Sequence, residues 1–398
     1  MGVVGFLVGR FVTIVVIFVA LSWGWMASHP ELPVGRFFAV MIPLMKGVMP
    51  PEIVGHGHMM GTPPVPDHFT PRPRPTNEIF LPLPGGCGDG GDDNNSLGMP
   101  AVGLGMCCRP TAYDDVLVRR TVLWYLLLGG RHIDGAHLYL NHAAIGAGIR
   151  DAIQRYGVPR HEIFVTTKLF PSHFGYNRTL QMVPRFLEEL GLEYIDMVLL
   201  HAPSTPSKWF VPNDCTRSGI DATSCRRETW KALSELRNQG IVKHVGVSNF
   251  GIRHMRDLID GVPDGAPIAN NQIQYSPFAP ASVHEIVQYC RERNITVTAY
   301  SPLGGLIDRD RANATRDLRR IAERHHHRGG VTVQQIMLRW AVQKGLAVIP
   351  GTGNPDHMKQ NLAIYDFALT DDDMKTIDGL QYTAEAEKFF YADINSWS

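Results

Sequence analysis

The stretch IFVTTKLFPSHFGYNRTLQMVPRFLEELGLEYIDMVLLH (163–201) decides the fold. Near its two ends lie short apolar runs, Ile163–Thr167 and Ile195–Leu200. Between them, Leu180–Leu190 carries apolar residues at helical spacing with charged residues on the opposite face. A strand buried on both faces reads as an uninterrupted apolar run, so the stretch predicts a strand, a helix and a second, parallel strand. The pattern recurs outward in both directions. Further runs lie at Ala101–Leu104, His132–Asp134, Val242–Val247, Ile268–Ile273, Ile295–Ala299 and Leu346–Ile349. Amphipathic segments Ala143–Arg155, Thr229–Asn238, Val283–Glu292 and Val331–Lys344 lie between them. Eight such runs predict an α/β fold of the (β/α)8 TIM-barrel type. An open doubly wound sheet is disfavoured, because no G-x-G-x-x-G follows the first strand and opens a helix.

Composition narrows the function. The chain has 398 residues, with 38 Lys+Arg against 38 Asp+Glu, and this balance argues against a nucleic-acid partner. Hydrophobic residues make up 44%, enough for a large core. Six cysteines with no CxxC pair exclude a disulfide-built miniprotein and a structural zinc site. No metal is expected. The run His325-His326-His327 reads as a solvated helix end.

The first residues are unlike the rest. Phe11–Ala27 is uncharged and lies at the short end of the roughly 17–25 residues that span a bilayer. With residues 3–9 added the stretch lengthens and must carry Arg10, whose long stem can snorkel. Residues 1–49 are therefore expected to form a hydrophobic signal anchor or targeting segment, placing the protein on the endomembrane or secretory route. A cleaved signal is the competing reading, but with Ala27 at −1 the bulky Trp25 falls at −3. Residues 50–78, with Pro50, Pro51, Pro63, Pro64, Pro66, Pro71, Pro73 and Pro75, read as an extended linker. Residues 79–398 hold the barrel and a C-terminal tail.

In a (β/α)8 barrel the chemistry sits at the C-terminal strand ends. Those ends carry Asp134, Lys168, His201, Ser248, Asn249, Gln272, Tyr300 and Thr352. An acid, a cation, an imidazole, amides and an aromatic ring thus converge on one rim.

At these residues the sequence resembles the aldo-keto reductases. The matching motifs are GMPAVGLG (98–105), HIDGAHLYLN (132–141), FVTTK (164–168), YIDMVLLHAP (194–203), GIVKHVGVSNF (240–250), NNQIQY (270–275), VTAYSPLG (297–304) and IPGTGNPDHMKQN (349–361). The resemblance covers residues 79 to 380. It implies a barrel entered through an N-terminal β-hairpin, usually monomeric, that binds an extended nicotinamide cofactor and reduces a small-molecule carbonyl.

The resemblance carries the family's catalytic tetrad onto Asp134, Tyr139, Lys168 and His201. Physical chemistry supports those roles. Reduction of a carbonyl needs a hydride at carbon and a proton at oxygen, so a hydroxyl acid must stand within reach of that oxygen. A phenol is a poor acid near pKa 10, and an adjacent ammonium improves it. Tyr139 would donate the proton, Lys168 would acidify it, Asp134 would hold Lys168, and His201 would bond the carbonyl oxygen.

Cofactor contacts are likewise implied at Asp134, Ser248, Asn249, Gln272, Tyr300, Ser301, Leu303, Thr352, His357 and Asn361. Ser248, Asn249 and Gln272 would hold the carboxamide, and Tyr300 would stack on the nicotinamide. Where the family usually places a Lys and an Arg for the adenosine 2′-phosphate, this chain has Gly351 and His357. NADPH is expected, with NADH use left open by those two changes. Met106, Cys107, His142 and Ala202 also depart from the family pattern and are expected to reshape the substrate pocket. Trp209 and Phe210 are expected to line that pocket beside His201. Cys215 and Cys225 can pair in an oxidising compartment, whereas Cys87, Cys107 and Cys108 have no assignable partner. The alternative function is a non-catalytic nicotinamide-binding module tethered to a membrane, like the channel β-subunits of this fold. Retention of all four tetrad residues argues against it.

Overall fold

In the computed structural model, the described residues are 62–66, 68–84, 98–109, 112, 114–204, 213–304, 312–325 and 330–380. The segment at 1–49, Cys87, Trp209, Phe210, His326, His327 and the tail beyond residue 380 lie outside them. Among the described residues no helix is long and apolar enough to cross a membrane.

The described chain begins as an extended, proline-rich segment. Its prolines withhold backbone donors, so it forms no ladder and is held by single contacts, among them Arg72 N–H donating to Leu127 O at 2.7 Å. Thr62 and Thr121 share a hydroxyl bond of 2.7 Å, the Trp124 indole donates to Pro63 O at 2.8 Å, and Phe69 meets the Trp124 ring edge-on at 5.0 Å. The segment read as a linker is therefore laid on the barrel from Thr62 onward. The described residues all belong to one compact unit, Met60–Ser398, whose start falls within that segment.

Strands β1 (Phe80–Leu81) and β2 (Met99–Pro100) pair antiparallel as the expected entry hairpin, Phe80 opposite Pro100. Eight strands follow in one parallel sheet: β3 (Leu104–Gly105), β4 (His132–Asp134), β5 (Phe164–Leu169), β6 (Ile195–Leu200), β7 (Val242–Ser248), β8 (Asn270–Gln274), β9 (Thr296–Tyr300) and β10 (Ala347–Val348). Each pairs with its neighbour in chain order. The sheet curls until its ends meet. Val102 bridges Val348 in parallel, and Gly103 N–H donates to Val348 O at 2.8 Å. The run Ala101–Leu104 is thus divided: its first residues meet β10, and only Leu104 belongs to β3. The arrangement is that of a (β/α)8 barrel.

Helices α1 (Asp115–Leu127), α2 (His142–Tyr156), α3 (Tyr176–Leu190), α4 (Asp214–Arg217), α5 (Ala222–Asn238), α6 (Ile252–Gly261), α7 (Ala281–Glu292), α8 (Ala312–Arg324), α9 (Val333–Gln343), α10 (Pro355–Leu362) and α11 (Asp371–Asp378) connect and cover the strands. Local chemistry sets their ends. Asp114 and Asp221 accept backbone N–H groups at the starts of α1 and α5, and Thr332 forms a reciprocal cap with Gln335 at α9. Between sheet and helices Trp230, Trp340, Tyr125 and Tyr275 are fully buried, Tyr275 and Trp340 stacking at 5.4 Å. Cys215 and Cys225 are joined as a disulfide at the start of α5.

Candidate active site

The ends of β4 and β5 build the centre of the rim. Parallel pairing sets Asp134 beside Thr166, and Lys168 follows two residues later on β5. The Lys168 ammonium donates to Asp134 Oδ1 at 2.6 Å and to Gly135 O at 2.9 Å, while Gln272 Nε2 donates to Asp134 Oδ2 at 2.6 Å. Lys168 is 1% exposed and Asp134 2%, so this ion pair is held almost without water. Burial pushes the lysine below its usual range, against the opposing pull of Asp134. Removing either partner would strand a buried charge.

Beyond β4 the chain makes a 3-10 turn, His137–Tyr139, then a left-handed residue at Leu140 (φ 55°). The Asn141 amide fixes this turn to the loop after β3, donating to Met106 O at 3.0 Å and Ala112 O at 3.1 Å. Tyr139 is thereby held half-buried at the rim, its ring centroid 5.3 Å from the Lys168 ammonium. His201 leaves β6 with its N–H bonded to Leu169 O and its carbonyl accepting from Asn249 Nδ2 at 2.9 Å. Its imidazole stands edge-on to Tyr139 at 5.8 Å and to Phe170 at 5.9 Å. Burial, with Lys168 nearby, pulls its pKa down to about 3, so the ring is neutral near pH 7. Among the described residues its buried Nδ1 has no hydrogen-bond partner, which a polar ligand group beside the tetrad would supply.

A strip of amides continues the rim. Ser248 lies opposite Gln272 on neighbouring strands and its hydroxyl donates to Gln272 O at 2.9 Å. Asn249 also donates to Ser248 Oγ at 3.2 Å and accepts from the Tyr300 hydroxyl at 2.9 Å. Asn249 (φ 60°) and Ser301 (φ 48°) both hold left-handed backbone, a strained state that concentrates at binding sites. After β9, Ser301 is exposed and Leu303 half-buried, with Gly304 N–H bonded to Ser301 O. After β10, Thr352 Oγ1 lies 3.4 Å from His357 Nδ1 and accepts from Asn354 N–H at 3.0 Å. His357 and Asn361 are four residues apart on α10 and so share a face.

Two features escaped the sequence reading. His142, expected to reshape the substrate pocket, is buried and bonded to Glu189 Oε2 at 3.0 Å and to Thr167 Oγ1 at 2.8 Å. His137 and His173 complete an aromatic cluster there with Phe186. Burial alone would raise the Glu189 carboxyl, but bonds from His137 and His142 draw it below the usual carboxylate range. The second feature is Arg109, whose Nη1 donates to Gly105 O at 2.5 Å, beside Gly351. Its loop has no periodicity that would have flagged it. The other end of the His-run, His325, is engaged by Asp373 at 2.9 Å.

The described geometry has counterparts among known proteins. The model of the aldo/keto reductase family matches residues 97–381. A 9,11-endoperoxide prostaglandin H2 reductase of Trypanosoma cruzi is 35% identical over 290 residues, 72% of this chain and 89% of that one. A solved aldo/keto reductase from Brucella melitensis is 30% identical, with a TM-score of 0.60 over 76% of this chain and 100% of its own. A Bombyx mori aldo-keto reductase in complex with NADP is 28% identical, with a TM-score of 0.62 over 78% of this chain and 98% of its own. On the family match, the identity and the shared barrel, this chain belongs to the aldo/keto reductase family and is an NAD(P)H-dependent reductase.

Proposed function

We propose that the protein reduces an aldehyde or ketone to the alcohol with NADPH, using Tyr139, Lys168, Asp134 and His201. The observation that carries the reading is the dry Lys168–Asp134 pair set beneath Tyr139 and His201. A buried ion pair costs desolvation and contributes little to stability, so a catalytic use accounts for it better than a structural one.

The rim fits a nicotinamide. Ser248, Asn249 and Gln272 present the hydroxyl and amide groups a carboxamide needs. The Tyr300 ring, tethered through its hydroxyl to Asn249, offers a face for stacking. Ser301, Leu303, Thr352, His357 and Asn361 would follow the rest of the cofactor. The bound nicotinamide supplies the hydride. Tyr139 gives its hydroxyl proton to the substrate oxygen, and the Lys168 ammonium stabilises the phenolate left behind. Asp134 keeps that ammonium charged and fixed through its 2.6 Å bond. Neutral His201 donates an N–H to the same oxygen, aligning the carbonyl without competing as an acid. Trp209 and Phe210 are proposed to contact the substrate beside His201. We place the monomeric barrel at a membrane through residues 3–27.

The full chain tests this reading. Mixed with NADPH and an aromatic aldehyde, it should consume one cofactor per alcohol formed. Cofactor quenching without aldehyde-dependent consumption would refute it. In a flotation gradient the chain should rise with vesicles, and sedimentation as free protein would refute the membrane placement.

A further inference from the structure

We infer that Glu189 is a positioning residue for the reduction, holding the Tyr139 turn and the Lys168 strand from the helix layer; this rests on the reductase reading above. Glu189 stands in the last turn of α3, its side chain 26% exposed. Its Oε2 accepts the Nδ1 proton of His142 at 3.0 Å, and its Oε1 lies 3.8 Å from His137 Nε2. The two histidines bracket Tyr139, His137 opening its 3-10 turn and His142 opening α2 just after it. His142 carries the link on to β5. Its burial pushes its pKa below the usual value, so the ring is neutral near pH 7. A neutral imidazole beside a carboxylate keeps its proton on the nitrogen facing it, which leaves Nε2 to accept the Thr167 hydroxyl at 2.8 Å. Thr167 precedes Lys168 on β5, and strand alternation turns the two side chains to opposite faces. On one face the lysine reaches Asp134; on the other the threonine meets α2. One carboxylate thus registers both the strand that carries the ammonium and the turn that carries the acid.

The turn needs such support. Leu140, directly after Tyr139, holds left-handed backbone (φ 55°) and is 47% exposed, so it is strained and buries little apolar surface in return. Helix α3 supplies the grip instead. Phe186, one turn before Glu189 and fully buried, stacks on His137 at 4.8 Å and meets His142 edge-on at 5.4 Å. Arg185 steadies the carboxylate itself, its Nε donating to Oε1 at 3.0 Å. The Arg185 pair alone would satisfy a surface carboxylate, whereas the two imidazoles tie this one to the residues on either side of Tyr139. Displacing a reacting group by about 1 Å costs on the order of 10²-fold in rate, so a contact outside the site is felt at the chemistry.

Hydride transfer is measured in the full chain as a single turnover, with NADPH already bound and an aromatic aldehyde added. The parent is compared with Glu189→Leu and Glu189→Gln, and Tyr139→Phe with Tyr139→Phe/Glu189→Leu. Glu189→Leu should transfer hydride about 10- to 100-fold more slowly. Its NADPH affinity should stay within about twofold of the parent's, which also shows that the variant is folded. Glu189→Gln can still accept from His142 and should come within about fivefold of the parental rate. In the Tyr139→Phe background the leucine should cost less than about threefold, because the group that Glu189 places is already gone. Should Glu189→Leu fail to bind NADPH, His142→Asn takes its place with the same expected slowing, since it cuts the Thr167 link and keeps the carboxylate. Transfer at the parental rate, or an equal loss with and without the Tyr139 hydroxyl, overturns the inference and leaves the reductase reading standing. A parent that transfers no hydride to the aldehyde overturns both.

Discussion

His201 is neutral because the rim that surrounds it is dry and Lys168 is close by, and this sets the expected pH behaviour. With its pKa drawn to about 3, the ring gains no proton between pH 5 and 8, where an ordinary histidine would. Burial moves the proton loss of Lys168 to lower pH than usual, and reduction needs its ammonium. The rate of NADPH oxidation at limiting aldehyde should therefore show no step near pH 6.5 and decline on the alkaline side. A step near pH 6.5 that disappears in His201→Asn would contradict this account of the residue.

Among the elements, the contact of α2 with α3 shows how tightly the outer layer is fitted. A Cβ at Gly146 would lie 1.8 Å from Leu190 O, a backbone atom that cannot turn aside and that already accepts Arg150 Nη1 at 2.7 Å. Gly146→Ala must push the two helices apart, at a cost of about 1–3 kcal/mol. A melting curve should show a midpoint lower by several degrees, and an unchanged midpoint would mean the contact is looser than described. The strands were legible because burial on both faces leaves unbroken apolar runs, as in Phe164–Leu169, buried at every position. Helix α1 was not, since DVLVRRTVLWYLL is buried over so much of its surface that no single stripe stands out. The residues proposed for the tetrad and the amide strip could be singled out because each sits at or near a strand end. His142 was misread because its place in sequence is next to the site, while its helix turns it inward to Glu189. Proline content marked residues 50–78 as an extended linker but says nothing of what the described part, from Thr62 onward, packs against. Only the fold shows Asn77 donating to Tyr365 O at 2.6 Å. Arg109 and Gly351 are far apart in sequence, and they come together only once β3 and β10 close the sheet.

For the whole molecule, closing a parallel sheet brings every strand's C-terminal end to one rim, so residues from Asp134 to Asn361 become neighbours without a second domain. The fold then accepts local conflicts there: a buried ion pair, left-handed Asn249 and Ser301, and an orphaned His201 nitrogen. Such departures are expected where chemistry competes with stability. In the proposed mechanism these residues form one proton-delivery device whose acid is Tyr139. The experiment that decides it is a single turnover with NADPH already bound, comparing the parent with Tyr139→Phe on an aromatic aldehyde. The variant should bind NADPH as the parent does and transfer hydride about 10²- to 10⁴-fold more slowly. Transfer at the parental rate in Tyr139→Phe would show that the proton comes from elsewhere.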